Sequence, residues 1–239
     1  MFQASTSKQT GAAKVSTVGS IAKGQAPFIS FEGIDGAGKS TLINALTHWL
    51  QHENISVMCT REPGGTPGGE KIRTLLMEQS WCLKAEALLM FAQRAEHVEC
   101  CIKPAITAGK WVLCDRFIDS SYAYQAAGRN MGEQAVAELE QWTLDGFLPD
   151  LTILLDIPIE ESLTRRKKRQ SQLNFNADDR FERELMSHYD TLRHAFLNRA
   201  SANPHRILVF DATQTQQDLF FAVKQAIKSR YFSVESTVC

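Results

Sequence analysis

The segment GIDGAGKS, residues 33–40, has the spacing G-x-x-x-x-G-K-[ST], which is typical of a loop that binds nucleotide phosphates. Its glycines allow successive backbone N–H groups to turn inward around phosphate oxygens. Lys39 can reach the outer phosphates, and the Ser40 hydroxyl can hold Mg²⁺. The predicted triphosphate-binding residues are Gly33, Ile34, Asp35, Gly36, Ala37, Gly38, Lys39, Ser40 and Thr41.

The flanking sequence supports this interpretation over a chance match in a glycine-containing loop. An apolar run, FISFE, precedes the loop, and STLINALTHWL follows it with helical periodicity. A second apolar run, WVLCD, ends in Asp115. A carboxylate in this position can hold Mg²⁺ or its bound waters. Ser40 and Asp115 are therefore the predicted metal ligands.

Four arginines follow apolar runs or lie on the helices predicted after them: Arg61, Arg73, Arg94 and Arg116. A guanidinium group binds phosphate through two hydrogen bonds and can stack flat against a base. Any one of these arginines could instead form a surface ion pair. Four in such positions favour an acceptor that is itself a phosphate ester.

Five short apolar runs, each followed by a helical pattern, predict the fold. Continuous hydrophobicity is typical of strands that are covered on both faces. Strands that alternate with helices predict an α/β fold of the P-loop NTPase type, with a doubly wound, parallel five-stranded sheet and helices on both faces. Ligands bind such sheets beyond the carboxyl ends of the strands. The runs are residues 28–33, 57–61, 111–116, 151–156 and 206–211.

The chain after the fourth run differs in composition from the rest. LTRRKKR begins as a basic helix, and a polar stretch and a second charged helix follow it. A long polar insertion at the ligand edge is typical of a mobile lid, which we predict at about residues 163–182. A solvated basic helix or an RNA-binding patch is the alternative.

The two ends of the chain differ from its centre. Residues 1–26 are rich in Ser, Thr, Gly and Ala and contain no acidic residue. This composition predicts a disordered N-terminal tail, with an organellar targeting segment as the alternative. Residues 27–232 are predicted to form one folded domain, and residues 233–239 a C-terminal tail.

The charge and the cysteine content of the chain limit its possible binding partners and its cellular location. The formal net charge of −1 at pH 7 gives no indication of a nucleic-acid or membrane partner, and no apolar run could span a bilayer. The six cysteines show neither a CxxC pair nor metal-ligand spacing, which favours a reducing, cytoplasmic location. Cys59 and Cys114 lie in predicted strands, where we expect small core residues.

Four segments resemble the thymidylate (dTMP) kinase family, in its bacterial form with a basic lid: FEGIDGAGKST, TREPGGTPGGEKIR, CDRFIDSSYAYQAAGR, and the basic segment followed by DDRFE. The resemblance implies that residues 27–232 are a nucleoside monophosphate kinase domain. It also implies a homodimer that converts ATP and dTMP to ADP and dTDP with Mg²⁺. A kinase for another nucleotide or deoxynucleoside, or a non-catalytic nucleotide-binding regulator, is the alternative.

The resemblance implies roles for residues around the acceptor's sugar and phosphate. Asp35 matches a carboxylate that meets the deoxyribose 3′-hydroxyl and the magnesium shell. Arg73 and Arg116 match the arginines around the dTMP phosphate. Tyr124 matches an aromatic residue whose bulk disfavours a ribose 2′-hydroxyl.

The resemblance also implies contacts to the base. Arg94 matches a residue that lies against thymine and reads its carbonyl, and Ser121 and Gln125 match positions that contact the base. A phenylalanine common in the family is replaced by Met90, so either Met90 or Phe91 packs on thymine. The predicted dTMP-binding residues are Asp35, Arg61, Arg73, Met90, Phe91, Arg94, Arg116, Ser121, Tyr124 and Gln125.

A catalytic arginine is expected on the lid, because the phosphate loop carries none. LTRRKKR offers Arg165, Arg166 and Arg169, of which the first and last share one helix face. One of them is expected to contact the transferring phosphoryl group when ATP closes the lid. The predicted catalytic residues are Lys39, Asp35, Arg116, Arg165 and Arg169.

Overall fold

The computed structural model describes residues 26–173 and 189–232, without the side chains of residues 169–173. The predicted tails, 1–26 and 233–239, lie outside the described residues except for Ala26, and so does the part of the predicted lid from 174 to 182. The division of the chain into tails, domain and lid therefore stays a prediction.

Five parallel strands form one sheet, in the order β2-β3-β1-β4-β5. They are β1 Phe28–Glu32, β2 Val57–Arg61, β3 Trp111–Asp115, β4 Leu151–Asp156 and β5 Ile207–Asp211. Each strand coincides with one of the apolar runs to within one residue. The predicted parallel α/β fold is confirmed.

Helices connect the strands on both faces of the sheet. The first four are α1 Lys39–His52, α2 Pro67–Glu78, α3 Leu83–His97 and α4 Lys103–Thr107, with a π-helical turn, Val98–Ile102, between the last two. The others described are α5 Ile118–Ser121, which continues as the π-helical segment Tyr122–Gly128, then α6 Glu133–Leu144, α7 Ile159–Leu173, α8 Tyr189–Ala202 and α9 Gln216–Tyr231. Among the described residues, none of these helices has the length and apolar character that a bilayer crossing requires.

The side chains of β1 alternate between the two faces of the sheet. Phe28 packs on one side, with its ring centroid 4.9 Å from that of Phe117. Ile29 and Phe31 belong to the cluster on the other side, together with Leu46 of α1. Full burial of such a side chain contributes roughly 1.5–3 kcal/mol. Side chains therefore pack on both faces of the sheet and hold its carboxyl edge, from which the loops of the site emerge, in place.

The strand register aligns the ends of the first three strands. Phe31 of β1 pairs with Asp115 of β3, and Arg61 of β2 pairs with the same residue. Because the strands are parallel, the loops that leave them emerge at one edge of the sheet. The phosphate loop and the segment after Asp115 are therefore neighbours.

The expected environment of Cys59 is wrong, whereas that of Cys114 is confirmed. Cys59 is exposed on β2, which is an edge strand, and its Sγ lies 2.9 Å from Thr47 Oγ1. Cys114 is fully buried on β3, between two other strands. A hydrophobic run does not reveal whether its strand lies at the edge of the sheet or inside it.

Gly33→Ala is expected to destabilise the fold strongly. Gly33 has φ of +131°, and a Cβ there would lie against the carbonyl oxygen of Leu155 in β4. We expect a loss above about 3 kcal/mol in the free energy of unfolding, measured in urea, because backbone strain and a backbone clash add. Gly109→Ala is the control: its φ is +73°, but no described atom lies within 4 Å of the added carbon, so about 1–2 kcal/mol is expected. Equal losses would contradict the clash.

Candidate active site

The loop between β1 and α1 has the backbone that a phosphate clamp requires. Gly33, Gly36 and Gly38 have φ of +131°, +85° and +97°, which other residues rarely adopt. Lys39, the first residue of α1, donates from Nζ to the carbonyl oxygens of Gly33 at 3.0 Å and Ile34 at 3.2 Å. The amine is therefore held against the loop, at a helix N-terminus that favours anions.

Ser40 and Asp115 bring two oxygen ligands together beside this loop. Ser40 Oγ donates to Asp115 Oδ2 at 2.9 Å. At nucleotide sites Mg²⁺ is usually held by one or two such protein groups together with substrate phosphates. The pair therefore fits a magnesium site. Thr41 follows on α1 and is exposed.

An ion pair joins the phosphate loop to the segment after β3. Arg116 Nη2 donates to Asp35 Oδ1 at 2.5 Å, and its guanidinium carbon lies 5.1 Å from the ring centroid of Tyr124. Burial disfavours the ionised Asp35, but Arg116 and Lys39 outweigh it and hold the pKa of Asp35 well below its usual range. Burial and the charge of Arg116 lower the pKa of Lys39 to about 8. Near neutral pH the loop thus presents a carboxylate and an ammonium group.

Glu32, the last residue of β1, is fully buried and anchors the segment after Arg116. Its Oε1 accepts the N–H groups of Phe117 at 2.8 Å and Ser120 at 3.2 Å, and its Oε2 accepts the Ser120 hydroxyl at 2.6 Å. Arg116 Nη1 donates to the same hydroxyl at 3.2 Å. Burial and repulsion from Asp119 raise the pKa of Glu32 to about 7, against the effect of these donors.

Arg94 is fully buried, and three groups fix its guanidinium. Nε donates to Glu62 Oε2 at 2.6 Å, Nη1 to Ser121 Oγ at 2.9 Å, and Nη2 to the Phe117 carbonyl oxygen at 3.2 Å. His97 Nδ1 lies 3.0 Å from the other oxygen of Glu62. Arg94 and Ser121, both predicted to contact the base, are thus brought into contact with each other.

The remaining two predicted arginines contact the loop after β2 or the helix that follows it. Arg73 of α2 donates to the carbonyl oxygen of Pro63 at 3.1 Å. Arg61 is exposed and pairs with Glu70 at 2.8 Å, and Glu70 also accepts the N–H of Gly65 at 2.9 Å. Arg73 therefore contacts the loop directly, whereas Arg61 forms a surface ion pair.

Met90 and Phe91 have different surroundings. Phe91 is 1% exposed and belongs to the core cluster that contains Phe117, and Arg94 lies 5.0 Å from its ring centroid. Met90 is half-buried. Of the two neighbours, Met90 therefore has the larger surface left to contact a ligand.

The π-helical segment after α5 carries Tyr124 and Gln125. Gln125 Nε2 donates to Glu86 Oε1 at 3.0 Å, and Arg129 Nη2 donates to the other oxygen of Glu86 at 2.5 Å. Within the described part of the chain, Gln125 Oε1 and the Tyr124 hydroxyl are buried without a hydrogen-bond partner. Such atoms are rare and costly in folded proteins, so a ligand is expected to satisfy them.

One face of α7 contacts the phosphate loop. Ser162 Oγ donates to the carbonyl oxygen of Asp35 at 2.5 Å. A Cβ added at Gly36 would lie 3.2 Å from Arg166 Cγ. The side chain of Arg166 is 7% exposed and donates to the Tyr189 hydroxyl at 2.5 Å. Ser162 and Arg166 share this face because they are four residues apart.

Arg165 lies on a different side of the helix. It pairs with Glu161 at 2.5 Å, and its side chain is 34% exposed. The side chain of Arg169 lies outside the described residues. Of the lid arginines whose side chains are described, Arg166 is the one beside the phosphate loop.

Comparison with known proteins identifies the family. The family model described as thymidylate kinase matches residues 31–222. A thymidylate kinase from Thiobacillus denitrificans is 47% identical over 188 residues, which cover 79% of this chain and 89% of that protein. The chain belongs to the thymidylate kinase family. Thymidylate kinases from Alkalilimnicola ehrlichii and Bordetella pertussis are 44% and 46% identical over 84% and 78% of the chain, and over 92% and 87% of their own lengths.

Three buried glutamates of this thymidylate kinase family member were not predicted from the sequence: Glu32, Glu62 and Glu86. Glu32 and Glu86 are flanked by apolar residues, in SFEG and KAEALL, and this was the available signal. A buried carboxylate needs hydrogen-bonding or charged partners, so an acid within an apolar run predicts a polar network. No comparable pattern in the sequence predicts the contact of Ser162 with the phosphate loop.

Replacing Glu32 with Gln is expected to change how stability depends on pH. A carboxyl whose pKa is higher in the folded state stabilises the fold at low pH, and this contribution is lost as pH rises through about 7. Between about pH 5 and pH 7 we expect the wild type to lose stability relative to Glu32→Gln, at up to about 1.4 kcal/mol per pH unit.

Urea denaturation at several pH values measures this difference. The exposed residue Glu133 provides the control, because Glu133→Gln should leave the pH profile unchanged. Parallel profiles for the wild type and Glu32→Gln would contradict a raised pKa at Glu32.

Proposed function

We propose that this protein is a dTMP kinase that transfers the γ-phosphoryl group of Mg-ATP to dTMP and releases ADP and dTDP. The observation that carries the proposal is the 2.5 Å contact between Asp35 and Arg116. It links the loop predicted to bind the phosphates of ATP to the segment after β3, where the residues predicted to bind dTMP begin.

On the donor side, the loop N–H groups and Lys39 bind the phosphates, and Ser40 and Asp115 would hold Mg²⁺. The 2.9 Å contact between Ser40 and Asp115 supports this donor set. Bound Mg²⁺ would neutralise charge on the phosphate oxygens. The helix N-terminus at Lys39 adds further positive potential at the same place.

On the acceptor side, Arg73 and Arg116 bind the dTMP phosphate, and Asp35 accepts a hydrogen bond from the 3′-hydroxyl. The depressed pKa of Asp35 supports this role, because it stays an acceptor at working pH. The phosphate of dTMP is already anionic, so its oxygen can attack in line without a strong general base. The rate enhancement therefore comes from positioning of the two substrates and from neutralisation of their charge.

The base lies between Arg94, Gln125 and Met90 in our proposal. The guanidinium of Arg94 is fixed by three hydrogen bonds and has further N–H groups for a carbonyl. The unpartnered oxygen of Gln125 suits the N3–H of thymine. Met90 supplies an apolar surface, and Tyr124 limits the space at the sugar.

Arg166 contacts the transferring phosphoryl group in our proposal. Its burial beside Gly36, and the hydrogen bond from Ser162 to Asp35, support this choice over Arg165. A cation in this position stabilises the charge that develops during transfer. Arg169 stays a second candidate, because it is one turn further along the helix.

The active species is proposed to be a cytoplasmic homodimer. Leu75 of α2 and Leu88 of α3 are 42% and 54% exposed on two helices that pack together, and an apolar surface formed by the two residues would suit self-association. The five cysteines within the described residues are free thiols, which supports a reducing compartment.

Lys39→Met is expected to lower kcat for dTMP by about 10²–10³-fold or more, because the donor phosphates lose a charged partner. A coupled ADP-release assay measures turnover, and circular dichroism checks the fold. Lys110→Met is the control, because this lysine is exposed and lies at the amino end of β3, away from the carboxyl edge of the sheet; it should retain full activity. In the same assay dTMP should have a higher kcat/KM than dUMP, dCMP and dGMP, and a better acceptor among these would refute the assignment to dTMP.

Arg166→Ala is expected to lower kcat by about 10³-fold or more at saturating ATP and dTMP, since a cation is lost from the transition state. Arg165→Ala should lose much less, and Lys167→Ala, at an exposed position of the same helix, should match the wild type. A greater loss in Arg165→Ala than in Arg166→Ala would contradict the choice of arginine.

A further inference from the structure

Glu86 controls the orientation of the Gln125 amide. The two side chains are 1% and 2% exposed, and Gln125 Nε2 donates to Glu86 Oε1 at 3.0 Å. A carboxylate only accepts hydrogen bonds, so it can pair with the amide nitrogen of Gln125 but not with its oxygen. A reversed amide would place two oxygens against each other. The pairing therefore fixes which end of Gln125 faces away from Glu86.

Arg129 holds Glu86 in this position from the other side. Its Nη2 donates to Glu86 Oε2 at 2.5 Å, so each carboxylate oxygen of Glu86 has its own partner. Glu86 lies on α3, whereas Gln125 and Arg129 follow α5. The carboxylate thus bridges two helical segments and cannot rotate without breaking a charged hydrogen bond.

The result is a buried acceptor that lacks a donor within the described residues. Gln125 Oε1 is buried and unpartnered there. A ligand with an N–H group satisfies this oxygen, whereas a ligand with a lone pair in the same place leaves two acceptors facing each other. Thymine and uracil carry a hydrogen on N3, and cytosine carries a lone pair on N3.

We propose that Glu86 is a specificity-determining positioning residue, which selects pyrimidines with an N3–H by holding Gln125 as an acceptor. The inference rests on the proposed function, because it takes dTMP as the acceptor whose base meets Gln125. It adds that the choice between thymine and cytosine is made partly by a residue that does not touch the base.

Glu86→Gln tests this role, because a glutamine at position 86 can donate or accept and so releases Gln125 to turn. We expect the ratio of kcat/KM for dTMP to that for dCMP to fall by about tenfold or more. The ratio of dTMP to dUMP should stay the same, since both bases carry an N3–H. Glu86→Asp, which keeps a carboxylate, should recover part of the selectivity.

Glu96→Gln is the matched control, as an exposed glutamate of the same helix, and its dTMP to dCMP ratio should equal that of the wild type. Turnover of dTMP with an unchanged ratio in Glu86→Gln would overturn this inference alone. Failure of the wild type to phosphorylate dTMP would overturn the proposed function and this inference with it.

A ligand pair tests the same point in the wild type, whether or not the variant folds. In N3-methyl-dUMP a methyl group replaces the N3 hydrogen of dUMP, and both ring carbonyls are kept. The wild-type protein should bind it about tenfold or more weakly than dUMP in a calorimetric titration, because Gln125 Oε1 then loses its donor. Equal affinities would overturn the proposal.

Discussion

The ion pair between Asp35 and Arg116 is the constraint on which the arrangement of the site depends. It connects the loop after β1 to the segment after β3, which the parallel register already brings side by side. Glu32 secures the second segment by accepting hydrogen bonds from Phe117 and Ser120. The pair is therefore held by a residue of the sheet, and the residues that we propose bind the two substrates lie around it.

Buried carboxylates repeat one physical arrangement across the acceptor side. Glu32 ends β1, Glu62 follows β2 and Glu86 lies on α3, and each holds a group predicted to contact the acceptor or its support: Ser120, Arg94 and Gln125. A buried charge without partners is strongly destabilising, so each carboxylate is retained together with its donors. These networks give polar side chains one orientation in a site where a mobile amide or guanidinium would recognise a base poorly.

Local patterns in the sequence predicted the five strands and the phosphate loop, because each depends on residues that are adjacent in the chain. The environment of Cys59 was missed since strand order is a long-range property. The lid arginines were ambiguous for a similar reason: helical spacing tells which residues share a face, but not which face meets the loop, and Ser162 and Arg166 decide that only in the folded chain. The partners of the buried glutamates Glu32, Glu62 and Glu86 are likewise 32 or more positions away in the chain, beyond any local pattern.

The position of Asp35 has a thermodynamic consequence. Its carboxylate interacts with Lys39, which we propose binds the donor, and with Arg116, which we propose binds the acceptor, so both substrates would meet the same charge. A donor that drew Lys39 away from Asp35 would strengthen the interaction between Asp35 and Arg116, and an acceptor bound to Arg116 would change the electrostatic potential at Lys39. Thermodynamic linkage makes such an effect reciprocal: if one nucleotide changes the affinity for the other by some factor, the second changes the affinity for the first by the same factor. In the proposed site, a single side chain would therefore couple the affinities of the two substrates.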